Sequence, residues 1–233
     1  MTRTYEECML AILASPEDDA LRRELASIVQ ASDPLLAEFI ELQLTLTDRE
    51  RARLPRNTFP REWQLADENR RRWARNLDFY LGEDMRHRDV EFRRGLPWLC
   101  TMNPYMFLEQ GEYILTRVAP LRGIKFYADP EGDPFPAKEL AACPSLARLD
   151  EIRFDRFAAS KDELEILVSS PHLVRVRAWD FREVQVSAGV WEAIAANPAA
   201  RGAFMIQSDY KVPSDGGPID EVAASFDRVW ISS

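Results

Sequence analysis

The side chains best suited to nucleophilic or metal chemistry in this chain are three cysteines and two histidines. Their spacing suits neither chemistry. Cys8, Cys100 and Cys143 are far apart and form no C-x-x-C pair. An odd set spaced in this way is no disulfide framework and fits a reducing compartment. His87 and His172 have no ligand-spaced partner, whereas a metal centre needs clustered His, Cys or carboxylate groups. No nucleophile elbow, phosphate-binding loop or dinucleotide fingerprint occurs, and Gly216-Gly217 lacks the lysine that a phosphate loop would place after it. Asp18-Asp19 and Asp150-Glu151 are paired carboxylates, but they read as a helix start and an exposed strand position, not as an acid/base pair. The expectation is a protein without catalytic residues, metal or cofactor.

Binding chemistry is better represented. Arg70-Arg71-Arg72, Arg75, Arg51, Arg53, Arg56 and Arg61 make the densest basic region, with Trp63 and Trp73 interleaved. Stacking aromatics among cations would suit a nucleic-acid accessory role for residues 51–75. Against it, consecutive helical residues point in different directions, and Glu50, Glu62, Asp67, Glu68 and Asp78 dilute the field. The net charge of −9 over 233 residues also argues against a dedicated nucleic-acid binder. With 46% apolar residues the chain can bury a sizeable core. There is no apolar signal core at the N-terminus and no 18-residue apolar run, so a cytoplasmic chain without a membrane partner is expected.

The elements that must position these groups fall into two regions, 1–94 and 95–233. In the first, Tyr5, Cys8, Met9, Ile12 and Leu13 lie on one helix face behind a Thr4/Glu7 capping box. Ser15-Pro16 predicts the start of a second helix that buries Leu21, Leu25, Ile28 and Val29. Asp33-Pro34 predicts a third, with Leu36, Phe39, Ile40 and Gln43. A fourth runs from about Arg61 to Leu81. This is a helical capping domain.

The second region repeats apolar-x-x-apolar-x-apolar. The triples are Leu121/Ile124/Phe126, Leu149/Ile152/Phe154, Leu173/Val176/Ala178, Ala200/Ala203/Met205 and Phe226/Val229/Ile231. Their starts are 28, 24, 27 and 26 residues apart (149−121, 173−149, 200−173 and 226−200), a period typical of repeat arrays. Helical returns are expected at 136–142, 160–169, 187–197 and 218–225, and an earlier strand and helix at 95–101 and 104–118. The fold class is α/β: a helical bundle, then a leucine-rich-repeat-like solenoid with a parallel sheet on its concave face.

Met9 to Arg22, then Ala37-Glu38-Phe39-Ile40-Glu41-Leu42-Gln43, resembles the bacterial repeat-companion domain. The likeness covers about the first 45 residues and continues in Phe92 to Gly95 and in the Ala119-Pro120-Leu121-Arg122 step. It implies a short helical unit ahead of degenerate leucine-rich repeats and a general interaction role. One segment departs: Leu25-Ala26-Ser27-Ile28-Val29 stands where the family usually has aromatic-Ala-Asp-Trp-Leu.

In such an array the residues between the apolar positions face the inner curve. The fifth positions are Lys125, Arg153, Arg177, Phe204 and Trp230; the third include Glu151, Arg175 and Arg228; the seventh include Tyr127, Asp155 and Trp179. Arg, Trp and Tyr are the types enriched where binding energy concentrates. The expected partner-binding set is Lys125, Tyr127, Arg153, Arg175, Arg177, Trp179, Phe204, Arg228 and Trp230. A competing reading makes Trp179, Phe204 and Trp230 a lid over a loop or the end of the sheet. The functional expectation is a non-enzymatic adaptor or inhibitory, immunity-type subunit whose protein partner offers an acidic contact surface.

Overall fold

A computed structural model describes residues 3–45, 59–81, 90–127, 133–155, 159–181, 184, 186–197, 205–208 and 229–231. The chain divides into two compact units. One is Met1–Cys100 with Tyr113–Leu121; the other is Thr101–Glu112 with Arg122–Ser233.

The first unit is mainly helical. Helix α1 (Tyr5–Ala14) begins at Thr4, whose hydroxyl accepts from the Glu7 N–H while the Glu7 carboxylate accepts from the Thr4 N–H. Helix α2 (Asp19–Val29) starts later than Ser15-Pro16 suggests. Asp18 is its cap, accepting from Ala20 N and Leu21 N, and Ser15 instead closes α1. A carboxylate accepting two amides is a strong cap, and Pro16 is left in the turn, where its carbonyl serves Arg22. Helix α3 (Pro34–Leu44) follows Asp33, with Pro34 at the first helical position as expected. Helix α4 (Pro60–Ala74) ends sooner than the long helix foreseen. A tight turn at Arg75–Leu77 separates it from a short helix, α5 (Asp78–Leu81).

Cys8, Ile12, Leu25, Val29, Phe39, Ile40 and Leu65 meet in one core. Phe39 stacks on Trp73 at 4.9 Å, and Phe92 meets both rings edge-on. The Trp73 indole N–H donates to Asp33 at 3.1 Å, so the residue that caps α3 also anchors α4.

Strands β1 (Val90–Arg93) and β2 (Leu96–Met102) form an antiparallel hairpin. Its two turn residues, Arg94 and Gly95, have φ of 53° and 81°, as a two-residue hairpin of the right twist requires. The turn is held by side chains from the helices. Gly95 N donates to Gln43 Oε1 at 2.7 Å, and Gln43 Nε2 donates to Glu62 and to the Phe92 carbonyl. Buried Arg22 donates to the carbonyls of Arg94 and Pro16, while Arg94 donates to the carbonyl of Glu17. A side chain at position 95 would place its Cβ 2.2 Å from Ile40 Cγ1.

The second unit alternates strands and helices. Helix α6 (Pro104–Tyr113) crosses from it into the first unit and continues as a wider turn at Ile114–Val118. Then come β3 (Gly123–Phe126), α7 (Ala137–Ala141), β4 (Glu151–Phe154), α8 (Lys161–Val168), β5 (Ala178–Asp180), α9 (Ala188–Ala196), β6 (Met205–Ser208) and β7 (Val229–Ile231). Strands β3 to β7 lie side by side in sequence order, and every pair among them is parallel. The chain is thus mixed α/β with a mostly parallel sheet. Ser160 opens α8 with the foreseen capping box, and Ser187 caps α9.

The register departs from the expected triples. Ile124 pairs with Ile152, but Ile152 pairs with Trp179, not Val176. The row continues through Ile206 to Val229. Its members are 28, 27, 27 and 23 residues apart (152−124, 179−152, 206−179 and 229−206). The third triple is therefore Val176/Trp179/Phe181, three residues on from Leu173/Val176/Ala178, and the fourth moves to Ile206. Both third triples satisfy the pattern; aromatic packing decides between them. Phe126 lies 6.3 Å from Phe154, which stacks on Phe181 at 5.4 Å, and Phe181 stacks on Trp179 at 5.8 Å. Ala178 in that place would leave a void the size of a ring. The return foreseen at 218–225 lies outside the described residues.

Candidate interaction face

Side chains alternate along a strand, so the residues beside the buried row point to the opposite face of the sheet. The register sets Lys125, Arg153, Asp180, Gln207 and Trp230 in one line across β3 to β7. Lys125 and Arg153 thus lie on the face opposite the buried row. The line then departs from expectation, with Asp180 where Arg177 was placed.

Trp179 is a correction. It is 0% exposed and belongs to the core, neither to the binding set nor to a lid. The signal was present: Val176-x-x-Trp179-x-Phe181 repeats the apolar pattern with larger side chains. Arg175 and Arg177 also leave the sheet face. They precede β5, are exposed, and lie at the strand-start end. Tyr127, half-buried, follows β3, and its N–H donates to the Met102 carbonyl. Trp230 lies in β7 opposite Gln207. Phe204 and Arg228 lie outside the described residues.

The carboxylates on this face carry more weight than the sequence suggested. Glu151 is 1% exposed and receives both Arg153 Nε at 2.7 Å and an Arg153 terminal nitrogen at 2.6 Å. Its strand neighbours are Gly123 and Ala178, the smallest available, which leaves room for the Arg153 guanidinium to fold back along its own strand. Asp180, 4% exposed, sits beside Arg153 in register. Lys125 reaches Asp155 at 3.6 Å. At the strand starts Asp150 lies 3.1 Å from Arg175 and 3.9 Å from Arg122. Taking such charges out of water is costly unless each finds an opposite partner, as buried Glu151 does in Arg153. The face is therefore a network of paired charges and not a bare cationic strip.

The arginine-rich region of the first unit is engaged in the same manner. Arg61 grips the Glu38 carboxylate through two 2.8 Å bonds, which holds the Glu38 carboxyl below the ordinary carboxylate range. Arg70 donates to the Val90 carbonyl, and Arg72 to Asp33 at 2.8 Å. Arg51, Arg53 and Arg56 lie outside the described residues.

Among the described residues no three His, Cys, Asp or Glu side chains gather as a metal site would require. Cys100 is buried, which pushes its thiol up to about 12; Cys8 is buried and donates to the Leu21 carbonyl; Cys143 is half-buried. A thiol held so far above neutrality is a poor nucleophile. The half-buried His172 is held by its backbone, its N–H donating to Ser170 Oγ, and His87 lies outside the described residues. No described helix is long and apolar enough to cross a membrane.

No family model, no curated protein and no solved structure matches this chain. Its function rests on its own residues.

Proposed function

We propose that the chain is a non-enzymatic protein-binding module, built from a helical companion unit and a degenerate leucine-rich-repeat-like solenoid. The observation that carries this reading is the register of the second unit. Five parallel strands in sequence order share one apolar row, Ile124, Ile152, Trp179, Ile206 and Val229. On the other face β3 to β5 align Lys125, Arg153 and Asp180, and the same register row passes through Gln207 and Trp230. A broad surface of aligned polar side chains is what repeat arrays offer to a protein partner. The repeat-companion likeness supports the same reading. Residues that carry it in Arg22, Phe39, Gln43, Phe92 and Gly95 are those that lock the hairpin turn to the helices.

The role is that of an adaptor or an inhibitory, immunity-type subunit. The test is capture from extract of the native cell with the wild-type chain and with Lys125→Glu/Tyr127→Ala. A binding face predicts one protein recovered by the wild type and lost by the variant. Equal recovery by both removes the strand face from the reading. A turnover detected with the purified chain would overturn its non-enzymatic character.

A further inference from the structure

The strand-start end of the second unit inverts the sign of the chain as a whole. The protein carries −9, yet Arg122, Arg148, Arg175 and Arg177 gather where the chain enters β3, β4 and β5. The register that pairs Gly123 with Glu151 and Glu151 with Ala178 sets Arg122, Asp150 and Arg177 side by side. Their backbone is locked. The Arg122 carbonyl accepts from the amides of Asp150 and Glu151, and the Asp150 carbonyl from those of Arg177 and Ala178.

Two carboxylates order three of these guanidinium groups. Glu112 takes Arg148 at 3.0 and 3.1 Å, and Asp150 lies between Arg122 and Arg175. Arg122 also donates to the Arg148 carbonyl at 2.6 Å. Arg177 is exposed and makes no ion pair among the described residues. Guanidinium groups held at a rigid edge bind carboxylates through paired hydrogen bonds, with little ordering left to be lost on binding.

We propose that this rim, and not the centre of the sheet face, docks an acidic peptide segment of the partner. The proposal rests on the protein-binding reading and narrows it to one end of the sheet. It also accounts for Arg153, whose guanidinium is already committed to Glu151 and only 14% exposed, leaving it little to offer an incoming carboxylate.

The test is fluorescence anisotropy of a labelled oligoglutamate peptide with the full chain, at low and at physiological salt. The wild type should bind, more weakly as salt rises. Arg175→Gln/Arg177→Gln should weaken binding on the order of 10-fold, and Lys125→Gln less than about 2-fold. Arg177→Gln alone keeps the test decisive should the double variant unfold, since its side chain makes no ion pair among the described residues. Wild-type affinity in the rim variants, or a larger loss from Lys125→Gln, would overturn the rim. So would an oligonucleotide of equal charge binding as tightly as the peptide. A wild type that ignores the peptide yet captures its cellular partner overturns the rim alone. Failure of the protein-binding reading would instead show as no protein captured by the wild-type chain from extract of the native cell.

Discussion

The two units solve the same problem by opposite means. In the first, order depends on a few polar side chains that each do several jobs. Gln43 alone meets a turn amide, a strand carbonyl and Glu62, and Asp33 caps one helix while anchoring another. In the second, order is spread over rows of similar apolar side chains, and Phe126, Phe154 and Phe181 follow one another ring to ring. A knot tolerates no substitution of kind, whereas a row tolerates change of kind but not loss of volume.

The largest expected effect is in the row. Phe154→Ala should cost about 4 kcal/mol in urea unfolding, and Phe154→Leu about half of that, because Leu keeps most of the volume. Equal costs would mean that ring geometry, not filling, holds the row.

Next is Gly95→Ala, which should cost about 3 kcal/mol or more. Position 95 has a positive φ, and a Cβ there would lie 2.7 Å from the Ile40 backbone. A near-neutral result would show that the hairpin turn is not gripped by α3.

Gln43→Met keeps shape and removes the polar end. It should still cost about 2 kcal/mol, since the buried Gly95 N–H loses its acceptor. A cost well under this would erase the contrast between the units. On the sheet face Lys125→Gln should change stability by no more than about 0.5 kcal/mol, as a part-exposed ion pair contributes little.

The smallest effect expected is none at all. At a pH of about 8, folded protein should be alkylated at half-buried Cys143 and not at Cys100, as peptide mass analysis would show. The buried Cys100 thiol has its value raised from 9.0 to about 12, so its share of stability is whole below pH 9 and is lost as the pH climbs toward 12.

Much of the architecture was legible because it is written in short-range signals. Thr4/Glu7, Asp33-Pro34 and Ser160/Glu163 each mark a helix start through contacts within four residues. The strand pairing from β3 to β4 followed from the spacing of two clear triples. The third triple was not settled by pattern, because two matches three residues apart both alternate correctly and both are buried. Only the neighbouring row, with Phe154 seeking a partner of its own size, selects Trp179 and Phe181. That is long-range information, and the candidate site inherited the slip. Trp179 moved to the core and Asp180 took the place given to Arg177. The Ser15-Pro16 helix start failed for a similar reason, since buried Arg22 claims the Pro16 carbonyl from within the next helix.

The uneven distances between members of the apolar row, with 27 residues before Ile206 and 23 after it, carry a last consequence. Connections absorb differences of several residues, while the entries into β4 and β5 are each pinned by a shared carbonyl. Insertions and deletions should therefore be harmless in the outer returns. A single residue added between Asp150 and Glu151 would turn Ile152 and Phe154 outward and bring Arg153 in, scrambling that layer at one stroke.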